Sequence, residues 1–335
     1  MTFALIKNPA YSRVSFTGSN TLAINELKLC TNFENIRMQE LGGIPHILFD
    51  SQSPLTAGEV QMLSRLSFVY AIFEIIDNEL LKPINLAANF FLDQELSAIL
   101  KYSGKTNELF TRLMINLAQL YNQNPHETLN ILDPLAGKGT TLYESIMQGH
   151  NAYGVEIDEK MPHESIVYLK KYLETAKIKH ENHAEKTSGQ TEYGKFTSLR
   201  SQIKIARTKT DKIHFEMVAG DTRNVASFFR KNFFHAIVAD LPYGVHHGSK
   251  TNKKPQSSAI TRNAMGLISE AMPGWVRVLK PGGVIVLAWN LFLISKAEMS
   301  ELLGNHGFVV PNPGVDLSHR VDQAIDRDLI IGIKN

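Results

Sequence analysis

From residue 129 onward the chain alternates short apolar runs with helical patterns, and this alternation restricts it to parallel strands joined by crossover helices. The runs are LNILD, AYGVEI, HFEMVAG, HAIVAD and GVIVLAW. Five such strands suffice for a doubly wound, Rossmann-like α/β sheet. Between them, TTLYESIMQG sets Leu142, Ile146 and Met147 on one helical face, with Gly149 placed to end the helix. Near the end, GFVV and DLIIGIK bracket a turn-rich segment and predict a hairpin-like pair that makes one edge antiparallel. Ahead of the sheet, ELFTRLMINLAQLYNQ repeats Leu109, Phe110, Leu113, Met114, Leu117 and Tyr121 at helical spacing, the pattern of a core helix covering the first strand.

Residues 1–85 read differently. FALIKN, HILFD and the apolar stretch VQMLSRLSFVYAIFEII, taken as one helix, predict a separate small α/β domain. Residues 86–105 form a connection, and 106–335 hold the large sheet. With 335 residues, 43% hydrophobic and 20% charged, the composition is that of an ordinary globular chain. A net charge of +2 does not by itself imply nucleic acid. The positive charge is concentrated, however: residues 159–212 carry 12 Lys and Arg against 7 Asp and Glu, a local +5 that leaves −3 for the rest. This stretch holds one amphipathic helix, SIVYLKKYLETAKI, and a polar tract, HENHAEKTSGQTEYGK, and reads as an insertion on the sheet's surface. A solvated helix with a loop and a nucleic-acid contact are both open readings of it.

A single cysteine, Cys30, excludes an internal disulfide and a cysteine-rich zinc site and fits a reducing compartment. His246 and His247 lack a partner pattern, so no metal site is assigned. The opening MTFALIKNPAY has no signal-peptide pattern, and the longest apolar run, VIVLAWNLFLI, falls short of the ~20 residues that span a bilayer. A cytoplasmic protein without a membrane partner is expected.

ILDPLAGKGTTL places a glycine-rich turn between the first strand and its helix, where backbone and helix N-terminus can approach a nucleotide-like ligand. Two phosphate-binding motifs fail on spacing. A P-loop needs Gly-Lys followed by Ser or Thr, but Lys138 is followed by Gly139; the dinucleotide fingerprint needs a third glycine where Leu142 stands. What remains is Asp133 ahead of the loop, an acid that suits a cationic ligand carrying an ammonium and a sulfonium. The second strand ends on Glu156, placed to accept from ribose hydroxyls, and the third on Asp221, placed to accept from an adenine amino group.

Asp133-Pro-Leu-Ala136-Gly137-Lys-Gly139-Thr140, Glu156, Gly220-Asp221 and Asp240-Leu241-Pro242-Tyr243-Gly244, in that order, resemble the class I S-adenosylmethionine-dependent methyltransferases, as does RVLKPGG before the fifth strand. The match covers about 100–335. The resemblance implies S-adenosylmethionine as cofactor, held by Asp133, Ala136, Gly137, Gly139, Thr140, Glu156, Ile157, Asp221 and Thr222. Amino-methyltransferases of this class carry an Asp or Asn, Pro and aromatic motif at the end of the fourth strand. An exocyclic amine donates its lone pair into the base and needs acceptors to orient it: Asp240 and the Leu241 carbonyl serve, Pro242 holds the turn, and Tyr243 stacks on the base.

DLPYG, GDTR and GKTNELFTRLMINLA are more specifically similar to the guanosine-N2 tRNA methyltransferases that join a THUMP-bearing N-terminal region to the catalytic domain. LSRLSFVYAIFEI resembles the end of their ferredoxin-like region. Residues 1–85 are too short for that region plus a THUMP domain, which leaves RNA to be gripped elsewhere. Val245 to Ser269 contains no acid but holds Lys250, Lys253, Lys254 and Arg262, the expected phosphate contacts beside a flipped base. The expected partner is RNA, tRNA foremost. An adenine-N6 methyltransferase of DNA or rRNA and a non-catalytic RNA-binding subunit stay open, as do an accessory protein and a homodimer.

Overall fold

The computed structural model describes residues 1–10, 18–77, 80–86, 90–99, 105–124, 128–206, 208, 212–242 and 264–335. The chain forms two compact units: residues 1–89 with 312–327, and residues 90–311 with 328–335.

The first unit runs β1 (Thr2–Lys7), α1 (Ser19–Cys30), β2 (Glu34–Leu41), β3 (Ile44–Asp50), α2 (Ala57–Arg65), β4 (Val69–Ile76) and β5 (Leu80–Ile84). The sheet order β2-β3-β1-β4 is ferredoxin-like, all antiparallel, with β5 added at the edge. Residues 60–76, expected as one helix, divide into the end of α2 and the whole of β4. Thr56 caps the helix through a capping box with Glu59, while the β-branched and aromatic run after Phe68 pairs with β1. Apolar residues throughout the segment satisfied both periodicities, so periodicity alone could not find the break.

The second unit begins with α3 (Glu95–Ile99), inside the segment expected to be a bare connection; Phe91, Leu92 and Leu96 there are core residues. There follow α4 (Glu108–Tyr121), β6 (Asn130–Asp133), α5 (Thr140–Met147), β7 (Asn151–Glu156), α6 (Lys160–Thr175), β8 (Lys179–Thr191), β9 (Gly194–Ala206) and β10 (Lys212–Ala219). Then come α7 (Val225–Phe228), β11 (Phe234–Asp240), α8 (Ala264–Val278), β12 (Leu279–Asn290), α9 (Lys296–Asn305) and β13 (Phe308–Val309). The last strands are β14 (His319–Arg320) and β15 (Asp326–Lys334), the latter antiparallel to β13 as the terminal patterns predicted.

The large sheet has the order β13-β15-β12-β11-β6-β7-β10-β9-β8, with β12, β11, β6, β7 and β10 parallel. This is the Rossmann-like class I methyltransferase sheet with an antiparallel edge. The central strands are buried on both faces, which is why FHAIVAD reads as an unbroken apolar run. One face packs around Trp275, Trp289 and Phe234, the other around Tyr143, Phe215 and Met217.

Two expectations need correction here. The helix α4 packs chiefly on α5 and over β11 and β12 rather than on the first strand. Its C-terminal end is fastened there, with the Asn122 side chain donating to the His235 carbonyl at 2.5 Å and the Gln123 N–H to that of Gly282 at 3.0 Å. The polar tract after α6 is no surface loop: β8 pairs with β9 along its whole length, and β9 pairs with β10, so the insertion extends the sheet's edge. Almost every residue of β8 is exposed, so no apolar alternation announced it; backbone hydrogen bonds form it.

Residues 312–327 return to the first unit. There Asn25 donates to the Asp316 carbonyl at 2.6 Å, Leu317 and Ile325 are buried, and β14 pairs with the first residues of β15. Among the described residues, no helix is long and apolar enough to cross a membrane.

Candidate active site

The loop after β6 is shaped by backbone requirements. Gly139 has φ of +89° and closes the N-terminus of α5, while a Cβ on Gly137 would meet nothing within 4 Å. Gly154 of β7 lies under this loop, where a Cβ would come within 2.6 Å of Met217 Sδ and 2.8 Å of Ala136 Cβ. A glycine in β7 thus lets the loop descend onto the sheet, and the Ala136 N–H reaches the Val155 carbonyl at 3.0 Å. Sequence reasoning passed over Gly154, although a glycine inside an apolar strand is the signal of such close approach.

Asp133, Glu156 and Asp240 end three neighbouring strands, β6, β7 and β11. Asp133 is 4% exposed and accepts from the Leu135 N–H at 3.0 Å and from the Thr141 side chain. Burial pushes its carboxyl up to about 7, and the charges of Asp240 and Glu156 add to the rise. Asp133, on the strand between the other two, thus feels the charge of both. Glu156 is raised by burial too, a rise opposed by N–H groups: Gly137 donates to Oε2 and Asp158 to Oε1, each at 2.9 Å. Among the described residues, no lysine or arginine pairs with Asp133 or Glu156. Lys138, inside the loop, pairs instead with Glu164 at 2.6 Å.

Asp240 receives a hydrogen bond from the Thr106 hydroxyl at 2.7 Å. Thr106 was not a sequence candidate, although it lies in the GKTNELFTRLMINLA stretch; it stands just before Asn107, whose side chain caps α4. Leu241 is buried, and its N–H donates to the Ala288 carbonyl at 2.8 Å, which fixes the chain leaving β11. Pro242 follows, half-buried. Tyr243, Lys250, Lys253, Lys254 and Arg262 lie outside the described residues.

On the far side, Ile157 is 53% exposed, an apolar side chain held open at the tip of β7. The Gly220 N–H donates to the Glu156 carbonyl at 2.8 Å and carries Asp221 to the same edge. Asp221, expected to face an adenine, already accepts from Arg223: Nη2 to Oδ2 at 2.6 Å, Nε to both oxygens and the backbone N–H to Oδ1 at 2.9 Å. The side chain of Thr222 does not join the site. It is buried and accepts from the indole N–H of Trp275 at 2.9 Å, because a fully buried indole requires an acceptor. Ala136 is buried in the loop and Thr140 at the start of α5.

The arrangement suits a cationic, adenosine-bearing ligand. Asp133 and Glu156 would meet its positive charge and its hydroxyls, and the exposed Ile157 offers an apolar surface to a flat base.

A family model described as "RMKL-like, methyltransferase domain" matches residues 102–283, more than half of the chain. No curated protein matches the sequence. Among solved structures, TrmN from Thermus thermophilus is similar at 14% identity and a TM-score of 0.42, with 90% of this chain covered and 59% of that one. This chain thus spans less than two thirds of TrmN's length. A TehB-like SAM-dependent methyltransferase from Corynebacterium glutamicum is 14% identical over 72% of this chain and 94% of its own, with a TM-score of 0.37. The magnesium protoporphyrin IX methyltransferase of Synechocystis PCC 6803, which has SAM bound, is 13% identical over 70% and 87%, with a TM-score of 0.36. Likeness this distant assigns no substrate.

Proposed function

This chain belongs to the RMKL-like methyltransferase-domain family, and we propose on that footing that it methylates the exocyclic amine of a nucleobase in RNA, guanosine N2 of tRNA foremost. S-adenosylmethionine is the methyl donor and supplies an electrophilic methyl group on a positively charged sulfur. The observation that carries the reading is Asp240, held by Thr106 at a strand tip within the electrostatic reach of Asp133.

The chain's residues would work by placement. Asp133 and Glu156 attract and orient the donor, Glu156 by accepting from ribose hydroxyls. Asp240 and the Leu241 carbonyl would accept the two N–H bonds of the target amine and orient its lone pair, and an Asp240 carboxylate oxygen would take up the proton that the amine gives up on methylation; Tyr243 would stack on the base. Positioning supplies most of the acceleration, because the sulfonium already activates the methyl group. Lys250, Lys253, Lys254 and Arg262 bind phosphates on either side of the base.

Tritiated donor supplied with tRNA, rRNA or duplex DNA tests the substrate class, and nucleoside mass spectrometry of the labelled RNA identifies the base. Label entering DNA alone overturns the reading in favour of an adenine-N6 enzyme. Asp240→Ala is expected to lower turnover by roughly 10²-fold or more while S-adenosylhomocysteine still binds; turnover equal to the parent's removes Asp240 from its role.

A further inference from the structure

The antiparallel hairpin of β8 and β9 is longer than the strand it extends. Leu199 of β9 lies opposite Ala219, the last residue of β10, so Gly194 to Ser198 run on past the strand tips by roughly 17 Å. They overhang the same edge that carries Glu156 and Asp133.

At the hairpin's turn the side chains reach across to the chain that follows β10. The Thr191 hydroxyl donates to Asn224 Oδ1 at 2.6 Å, and the Tyr193 hydroxyl to the Glu270 carbonyl of α8 at 3.1 Å. Between these anchors the Arg223 guanidinium lies over the Tyr193 ring, 5.0 Å from its centroid, and its Nη1 donates to Glu270 Oε2 at 2.9 Å. Its remaining N–H groups grip Asp221. The carboxylate offers about four lone-pair positions. The Arg223 backbone N–H, Nε–H and Nη2–H take three of them, with Nε–H shared between the oxygens. Asp221 is thereby fixed in direction with one acceptor position left.

We propose that Tyr193 is a positioning residue for the adenine end of the donor site. Its ring holds Arg223, Arg223 orients Asp221, and Asp221 presents its remaining acceptor position to the adenine amino group. A hairpin appended to the sheet's edge thus completes a site built on the central strands. The inference rests on the donor reading given above.

Calorimetry with S-adenosylhomocysteine, and with an analogue whose base is purine with hydrogen in place of the amino group, tests it on the full chain. Tyr193→Ala is expected to weaken S-adenosylhomocysteine about threefold. It should leave the purine analogue unaffected, since the group that Asp221 serves is missing from it. Tyr193→Phe, which keeps the ring over Arg223, binds both as the parent does. Arg223→Met, a second route to the same loss, shows the same dependence on the amino group. Equal losses on both ligands, or no loss on either, overturn the positioning role while the parent's binding leaves the donor site standing. Failure of the parent to bind S-adenosylhomocysteine overturns the donor site itself, and this inference with it.

Discussion

Glu144, between α4 and α5, and Asp133, at the tip of β6, are both buried acids, yet among the described residues only the first has a cation against it. Glu144 accepts from Arg112 Nε at 3.0 Å and from the Ser97 hydroxyl at 2.5 Å, and Arg112 also donates to Gln94 and lies over Phe90. Asp133 has hydrogen-bond donors alone, and two further acids add to the cost of its charge. A carboxylate enclosed with its counterion braces three helices. One enclosed without it remains protonated or waits for a positive ligand, and such an acid marks a site rather than a brace.

The largest expected effect breaks the brace. Arg112→Ala leaves Glu144 buried without its cation and should cost about 3–5 kcal/mol in denaturant unfolding. Donor affinity per folded molecule should stay unchanged; a lost affinity would show that the two regions are not independent.

Asp133→Asn should act in the opposite sense. The folded carboxyl titrates near 7 and an unfolded one near the ordinary value, so the folded state binds the extra proton between those limits. Stability from this residue is therefore full below about pH 4 and declines as pH rises to about 7. The variant should be more stable than the parent at pH 8, by up to about 4 kcal/mol, and as stable at pH 3. It should also bind S-adenosylhomocysteine poorly and lose the rise in affinity that the parent shows as pH passes through 7. A pH-independent stability difference would contradict the assignment.

The smallest effect concerns the loop above Asp133. Gly154→Ala forces a methyl group against Ala136 and Met217 and should cost about 1–3 kcal/mol, with a severalfold loss of donor affinity as the loop lifts. An unchanged affinity would mean that the loop's height is set elsewhere.

How much of this was readable from the chain follows the same physics. Strands buried on both faces appear as continuous apolar runs, so β6, β7, β10, β11 and β12, and the acids at the ends of the first four, were legible. The β8–β9 hairpin was not, because its outer strand is held by backbone pairing and buries almost nothing. Thr106 was illegible for another reason: it meets Asp240 across 134 residues of sequence, and no local pattern encodes that contact. The clasp on Asp221 was partly legible, since the arginine two residues on stands in plain view in GDTR, but the tyrosine beneath it comes from the hairpin.

The return of residues 312–327 to the first unit bears on how the protein is made. A ribosome delivers residues 1–89 well before the segment that buries Leu317 and seats Asp316 against Asn25, with residues 90–311 in between. The small sheet emerges early but gains these last buried contacts only after residues 90–311 have been made, so its completion waits on a segment far away in the chain.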